Sequence, residues 1–155
     1  MTIEERLREL GIELPQAAAP AANYVPYVLE NGLLHIAGQI PFQADGSLLK
    51  GRLGENRSIE DGQAAARLCA INLMAQMKAA LGSLDRVTRI VKLGVFVSST
   101  PDFTDQPKVA NGASDLMVEA FGDVGRHARS AVGVAVLPLG VPVEVDAIVA
   151  YSTGF

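Results

Sequence analysis

The chain is poor in most of the residues that make a small site easy to recognise. Of its 155 residues one is cysteine, two are histidine and none is tryptophan, and aromatics make up 5%. A single cysteine, Cys69, excludes an intramolecular disulfide, and its neighbours Leu68, Ala70 and Leu73 read as the surroundings of a small buried hydrophobe rather than of a nucleophile. His35 and His127 stand in no cluster with ligand spacing, so a zinc site is not expected. Nor is there a G-x-S-x-G elbow, a P-loop or a G-x-G-x-x-G opening a helix. No window approaches the ~20 consecutive apolar residues that cross a bilayer, and the start "MTIEERLREL" is charged where a secretory signal is apolar. The expectation is a cytoplasmic protein without a membrane partner. A formal net charge of −4 offers no diffuse positive field, which argues against a nucleic-acid partner.

What the chain has in quantity is small aliphatic residues. A hydrophobic share of 49% against 19% charged fits one globular domain over residues 1–155, with apolar surface left for a core or a subunit interface. Thr2 and Glu5 match a capping box, predicting a short helix to about Leu10 that Gly11 and Pro15 end; residues 1–19 read as this helix and a connector. "YVLENGLLHIAGQIP" holds two apolar runs around Asn31-Gly32, a hairpin signal, predicting strands at about 26–30 and 33–38. Ser58 and Asp61 open a long helix to about Leu81, buried along Ala66, Ala70, Leu73, Met77 and Leu81. "VTRIVKLGVFV" predicts a strand with Val87, Val91, Leu93, Val95 and Val97 on one face, interrupted only by Arg89; Arg89 and Lys92 alternate with apolar residues and read as solvated or interfacial. A second one-sided helix follows Asp105 and Pro107, and strands at about 128–137 and 142–151 flank "PLGVP". The order predicts an α+β fold, two long helices on one face of a mostly antiparallel sheet. The other face then needs cover, which a partner subunit would supply.

Two charges stand out within the apolar C-terminal stretch, Arg129 and Glu144. Beside Arg129 the same strand face carries Ala131, Gly133 and Ala135, too small to fill the adjacent space, and a planar guanidinium beside a pocket suits a small carboxylate. A structural salt bridge at a subunit interface is the alternative reading. If the last two strands form a hairpin about Leu139 and Gly140, Arg129 lies opposite Ala150 and Glu144 opposite Ala135. The two charges are then roughly 20 Å apart along the strands, and one small substrate meets both only at a junction between subunits or at a sharp bulge.

"PYVLENGLLHIAGQIP", "VKLGVFVSSTPDF" and above all "ARSAVGVAVLPLGVPVEVDAI" resemble the RidA/YjgF family of reactive-intermediate imine deaminases, also labelled L-PSP endoribonucleases, from about residue 20 to the end. The resemblance implies a chorismate-mutase-like fold, a homotrimer with clefts between subunits, and neither metal nor cofactor. It implies that Arg129 clamps the substrate carboxylate, that the Gly38 N–H assists, that Glu144 positions the attacking water, and that Tyr27 and Asn111 line the cleft. Ala131 stands where many members have cysteine, and Ala37 where they have serine. The implied activity is cofactor-independent hydrolysis of 2-imino acids or enamines to 2-keto acids and ammonia. A non-catalytic module that captures a small carboxylate such as a 2-keto acid is the alternative, and RNA cleavage ranks last because the charge is negative and no aromatic platform is interleaved with basic residues.

Overall fold

The computed structural model describes residues 1–20 and 22–153. Eight principal elements follow in chain order: α1 (Ile3–Glu9), β1 (Tyr27–Glu30), β2 (Leu33–Gln39), α2 (Ile59–Leu81), β3 (Val87–Ser98), α3 (Gln106–Phe121), β4 (Ala128–Val134) and β5 (Val143–Tyr151). Their boundaries follow local chemistry. Thr2 and Ser58 each close a capping box, with Glu5 and Asp61. Asn31 and Gly32 adopt φ of 52° and 79°, the left-handed pair that a tight hairpin needs, and β1 pairs with β2 across them.

The five strands form one mixed sheet in the order β1-β2-β5-β3-β4, and α2 and α3 pack on one face, giving the α+β, chorismate-mutase-like arrangement. Three of the four pairings are antiparallel; β4 runs parallel to β3. This corrects the C-terminal hairpin expected from the sequence. β4 and β5 are separated by β3, so Arg129 pairs with Leu93 rather than lying opposite Ala150, and Glu144 pairs with Phe96 rather than lying opposite Ala135. The reason is α3: it connects two parallel strands of one sheet, and such a crossover lies across a face, feeding β4 in at the far edge.

A second correction concerns β3. Val91 is exposed and Ile90 is fully buried, because the pairing with β5 slips between Ile90 and Lys92. Two extra residues, one at this slip and one between Val87 and Arg89, interrupt the alternation twice, so Val87 and Ile90 both share the core side with Leu93, Val95 and Val97. The core otherwise follows the expected stripes: Ala66, Ala70, Leu73, Met77 and Leu81 of α2, and Val109, Ala113, Leu116, Met117, Ala120 and Phe121 of α3. α1 docks by burying Leu7 and by contacts from its polar side, Glu4 to Lys78 at 3.1 Å and Arg6 Nε to the Glu119 carbonyl at 3.1 Å. Buried amides fix the connectors: Gln76 donates to the Ala18 carbonyl at 2.8 Å and Asn72 to that of Ile40 at 3.1 Å.

α2 and α3 approach so closely that a Cβ on Gly112 would run into the backbone carbonyl of Gln63, and one on Gly62 would come within 3.0 Å of Val109 Cγ1. The obstruction at Gly112 is backbone, which cannot rotate away. Gly112→Ala is therefore expected to lower unfolding stability by about 1–3 kcal/mol through overpacking, read as a lower denaturant midpoint at unchanged slope.

Candidate functional site

Glu144 projects from the face of β5 that the helices leave bare: its neighbours Val143 and Val145 point into the core, and the pairing residue Phe96 lies between the core-facing Val95 and Val97. β2 accommodates it with an irregularity. Between Ile36 and Gln39 the pairing to β5 gains one residue, and Gly38 falls in that bulge. A Cβ on Gly38 would sit 2.5 Å from Glu144 Oε2, so the carboxylate lies against bare backbone that only glycine provides. Together they border a cleft of about 280 Å³ whose other walls include Ala18, Tyr24, Phe42 and Leu139. Among the described residues Glu144 is the only charged one lining the cleft.

In these surroundings the Glu144 carboxyl is held above its ordinary value, first by burial and second by the nearby Asp146. Asp146 is raised as well, again by burial, against the opposing pull of the Gly94 N–H and of Lys92. A carboxyl with a raised pKa binds its proton more tightly folded than unfolded, so its ionisation costs stability as pH rises from the unfolded value through the folded one. Glu144→Gln removes that cost. The variant is expected to melt above wild type at pH 8, with the gap closing on acidification to pH 4; calorimetry at both pH values checks it.

Arg129 occupies the other face. It pairs with the core-facing Leu93 and turns toward α3, where Nη1 donates to Asn111 Oδ1 at 2.9 Å and to Ser114 Oγ at 3.1 Å, and Nη2 donates to the Pro107 carbonyl at 3.3 Å. A guanidinium has five N–H bonds. These contacts use both on Nη1 and one on Nη2, leaving Nε–H and one Nη2–H without a partner among the described residues. Two donors suffice for a bidentate carboxylate contact.

The site residues read from the sequence therefore fall into two groups. Arg129 and Asn111 are in direct contact, and Gly38 and Glu144 are in direct contact. Within one chain the groups do not meet, because two strand spacings and three residues of register put their Cα atoms roughly 14 Å apart, on opposite faces. Ala131 sits two residues beyond Arg129 on the helix side and packs against the core. Tyr27 pairs with the buried Ile36 and also packs against the core; the tyrosine bordering the Glu144 cleft is Tyr24. The sequence reading overlooked Ser114 and its partner His127, which touch at 2.8 Å. Pro107, Asn111 and Ser114 follow at helical intervals of four and three, so one face of α3 presents all three to Arg129, a spacing visible in the sequence.

Burial pushes the thiol of the fully buried Cys69 well up, which keeps it protonated and unreactive. Among the described residues no three His, Cys, Asp or Glu side chains converge on a metal-sized site, and no helix is long and apolar enough to cross a membrane.

Residues 4–148 match the protein family described as YjgF/chorismate mutase-like, putative endoribonuclease, and the chain belongs to that family. It is 57% identical to protein TCP17 of Trypanosoma cruzi over 148 residues, which cover 95% of this chain and 92% of that one. Among solved structures it is similar to Atu1372 of Agrobacterium tumefaciens, a protein of unknown function, with 47% identity and a TM-score of 0.91 over 97% of this chain and 92% of that one. A Shewanella oneidensis MR-1 protein bearing the same endoribonuclease description has 38% identity and a TM-score of 0.93 over 97% of this chain and 99% of that one.

Proposed function

We propose that the protein hydrolyses reactive 2-imino acids, or the enamines in equilibrium with them, to 2-keto acids and ammonia without a cofactor. The observation that carries this reading is Arg129: an arginine oriented by three contacts from α3, with two donors still available for a carboxylate. Glu144 supplies the complementary group, a carboxyl that burial raises above its ordinary value beside an apolar cleft, suited to accept a proton from water. Water adds to the carbon of the protonated imine as Glu144 takes one of its protons; Glu144 returns that proton to the carbinolamine nitrogen, and the C–N bond then breaks as the hydroxyl oxygen forms the C=O bond and gives its hydrogen back to Glu144, releasing ammonia. Arg129 fixes the carboxylate so that the imine carbon faces that water.

The two groups act together when copies of the chain assemble. β4 is an edge strand, so Arg129 lies at the rim of the sheet, available to the Glu144 cleft of a neighbouring copy. The face of the sheet opposite the helices exposes Val28, Leu33 and Val132, apolar surface for the same assembly. We assign a homotrimer with Arg129 and Glu144 from different subunits at each cleft, acting in the cytoplasm. Sedimentation equilibrium is expected to show three times 16.3 kDa; a monomer at micromolar concentration removes the shared cleft.

The decisive assay generates a 2-imino acid in situ with an amino acid oxidase and follows its loss. Arg129→Ala should abolish carboxylate recognition, while Glu144→Gln should keep 2-keto acid binding and lower turnover. Mixing the two inactive variants should restore activity, because some clefts in mixed trimers carry both wild-type groups. Mixed trimers as inactive as either parent, with subunit exchange demonstrated, would place both groups in one chain. Binding of 2-keto acids with no turnover in the wild type would make the chain a carboxylate-binding module instead.

A further inference from the structure

Behind Arg129 lies a hydrogen-bonded relay whose polarity follows from its two ends. At one end the Gly125 carbonyl, which can only accept, sits 2.7 Å from His127 Nδ1. The Nδ1 atom therefore carries the proton, and in the neutral ring Nε2 is an acceptor. Ser114 Oγ, 2.8 Å away, must donate its only hydrogen to Nε2. With its proton directed there, the hydroxyl turns a lone pair toward Arg129 Nη1, which donates to it at 3.1 Å. Asn111 Oδ1 takes the second Nη1 hydrogen at 2.9 Å. The relay lies along a recess of about 280 Å³ lined by Ser114, Asp115, Val118, Arg126, His127 and Arg129.

We propose that Ser114 and His127 are positioning residues that turn Arg129 into a carboxylate-selective fork; the inference rests on Arg129 being the carboxylate clamp. With both Nη1 hydrogens bound inward, the end-on pair made by Nη1 and Nη2 is closed to a ligand, and the open donors are Nε–H and the remaining Nη2–H. That side-on pair presents two parallel donors in one plane, matching the two coplanar oxygens of a carboxylate. A tetrahedral oxyanion cannot satisfy its third oxygen there. His127 never touches the ligand. Its part is to hold the Ser114 proton, so that the hydroxyl offers Arg129 a lone pair and not a competing donor.

Substitutions separate this role from a general structural one. Ser114→Ala and His127→Asn both break the relay, the second because asparagine reaches only the Gly125 end. Ser114→Thr keeps the hydroxyl, and His127→Gln keeps an acceptor near the position of Nε2. Calorimetric titration with pyruvate and with acetylphosphonate, its tetrahedral-anion analogue, reads the fork directly on the intact protein. Wild type is expected to bind pyruvate more tightly than acetylphosphonate. Ser114→Ala and His127→Asn should weaken pyruvate about tenfold, the scale of one charge-assisted hydrogen bond, and narrow the preference between the ligands. In the imine assay the same two variants should raise KM about tenfold with kcat within twofold, and Ser114→Thr and His127→Gln should stay near wild type in both measurements. If Ser114→Ala and His127→Asn match wild type while Arg129→Ala loses pyruvate, the relay is structural and the proposal fails. Should Arg129→Ala itself bind pyruvate normally, the carboxylate-clamp reading fails instead, a distinct result. If Ser114→Ala does not fold, the contrast between His127→Gln and His127→Asn decides in the same way.

Discussion

The parallel pairing of β3 with β4 governs the rest of the molecule. A chain that leaves one strand and returns parallel to it must cross over a face of the sheet, and here the crossover is α3. Because α3 has to lie over β3 and β4 on its way, its N-terminal half comes to rest above Arg129, and Pro107, Asn111 and Ser114 reach the guanidinium. The same pairing keeps β4 away from β5. A hairpin would have joined the two strands carrying the charges; the crossover inserts β3 between them and sends Arg129 to the rim. The orientation of Arg129 and its distance from Glu144 thus have a single topological origin.

Glu144 depends on a different irregularity. Strand alternation alone sends its side chain to the bare face, where water would solvate it. The extra residue in β2 brings Gly38 beneath the carboxylate, and the connector around Ala18 and Tyr24 adds apolar wall. That connector is held by Gln76, a buried residue of α2, so a helix on one face shapes a cleft that opens at the sheet's end. The raised carboxyl follows first from these walls, and the nearby Asp146 adds to it in the same direction.

Elements governed by local chemistry were legible in the sequence. The capping boxes at Thr2 and Ser58, the Asn31-Gly32 turn and the stripes of α2 and α3 each depend on residues within a few positions of one another, and each stands where its pattern indicates. Pairings set by competition between distant segments were not. "PLGVP" between two apolar strands satisfies the rules for a hairpin, and nothing local reveals that β3 pairs on both sides, with β5 and with β4. The slip at Ile90 and Lys92 escapes for the same reason: it is a property of the β3–β5 ladder, and period-two reading along β3 alone puts Val91 inside.

The candidate site divides along the same line. Arg129 and Glu144 could be singled out because charges are conspicuous in a run of small apolar residues, and Gly38 and Asn111 came with the family resemblance. Ser114 and His127 were missed because each is unremarkable alone: a serine inside a helix and a histidine at the start of a strand are ordinary surface choices. Their meaning appears only when the crossover sets α3 against β4, so that a hydroxyl, an imidazole and a guanidinium share hydrogen bonds. The Tyr27 assignment shows the converse. A motif gives the residue type, but position along the chain decides the surroundings: Tyr24 borders the Glu144 cleft, and Tyr27, three positions on, pairs with Ile36 and packs half-buried against the core. Sequence spacing constrains chemistry within one element; which elements meet is decided by the sheet.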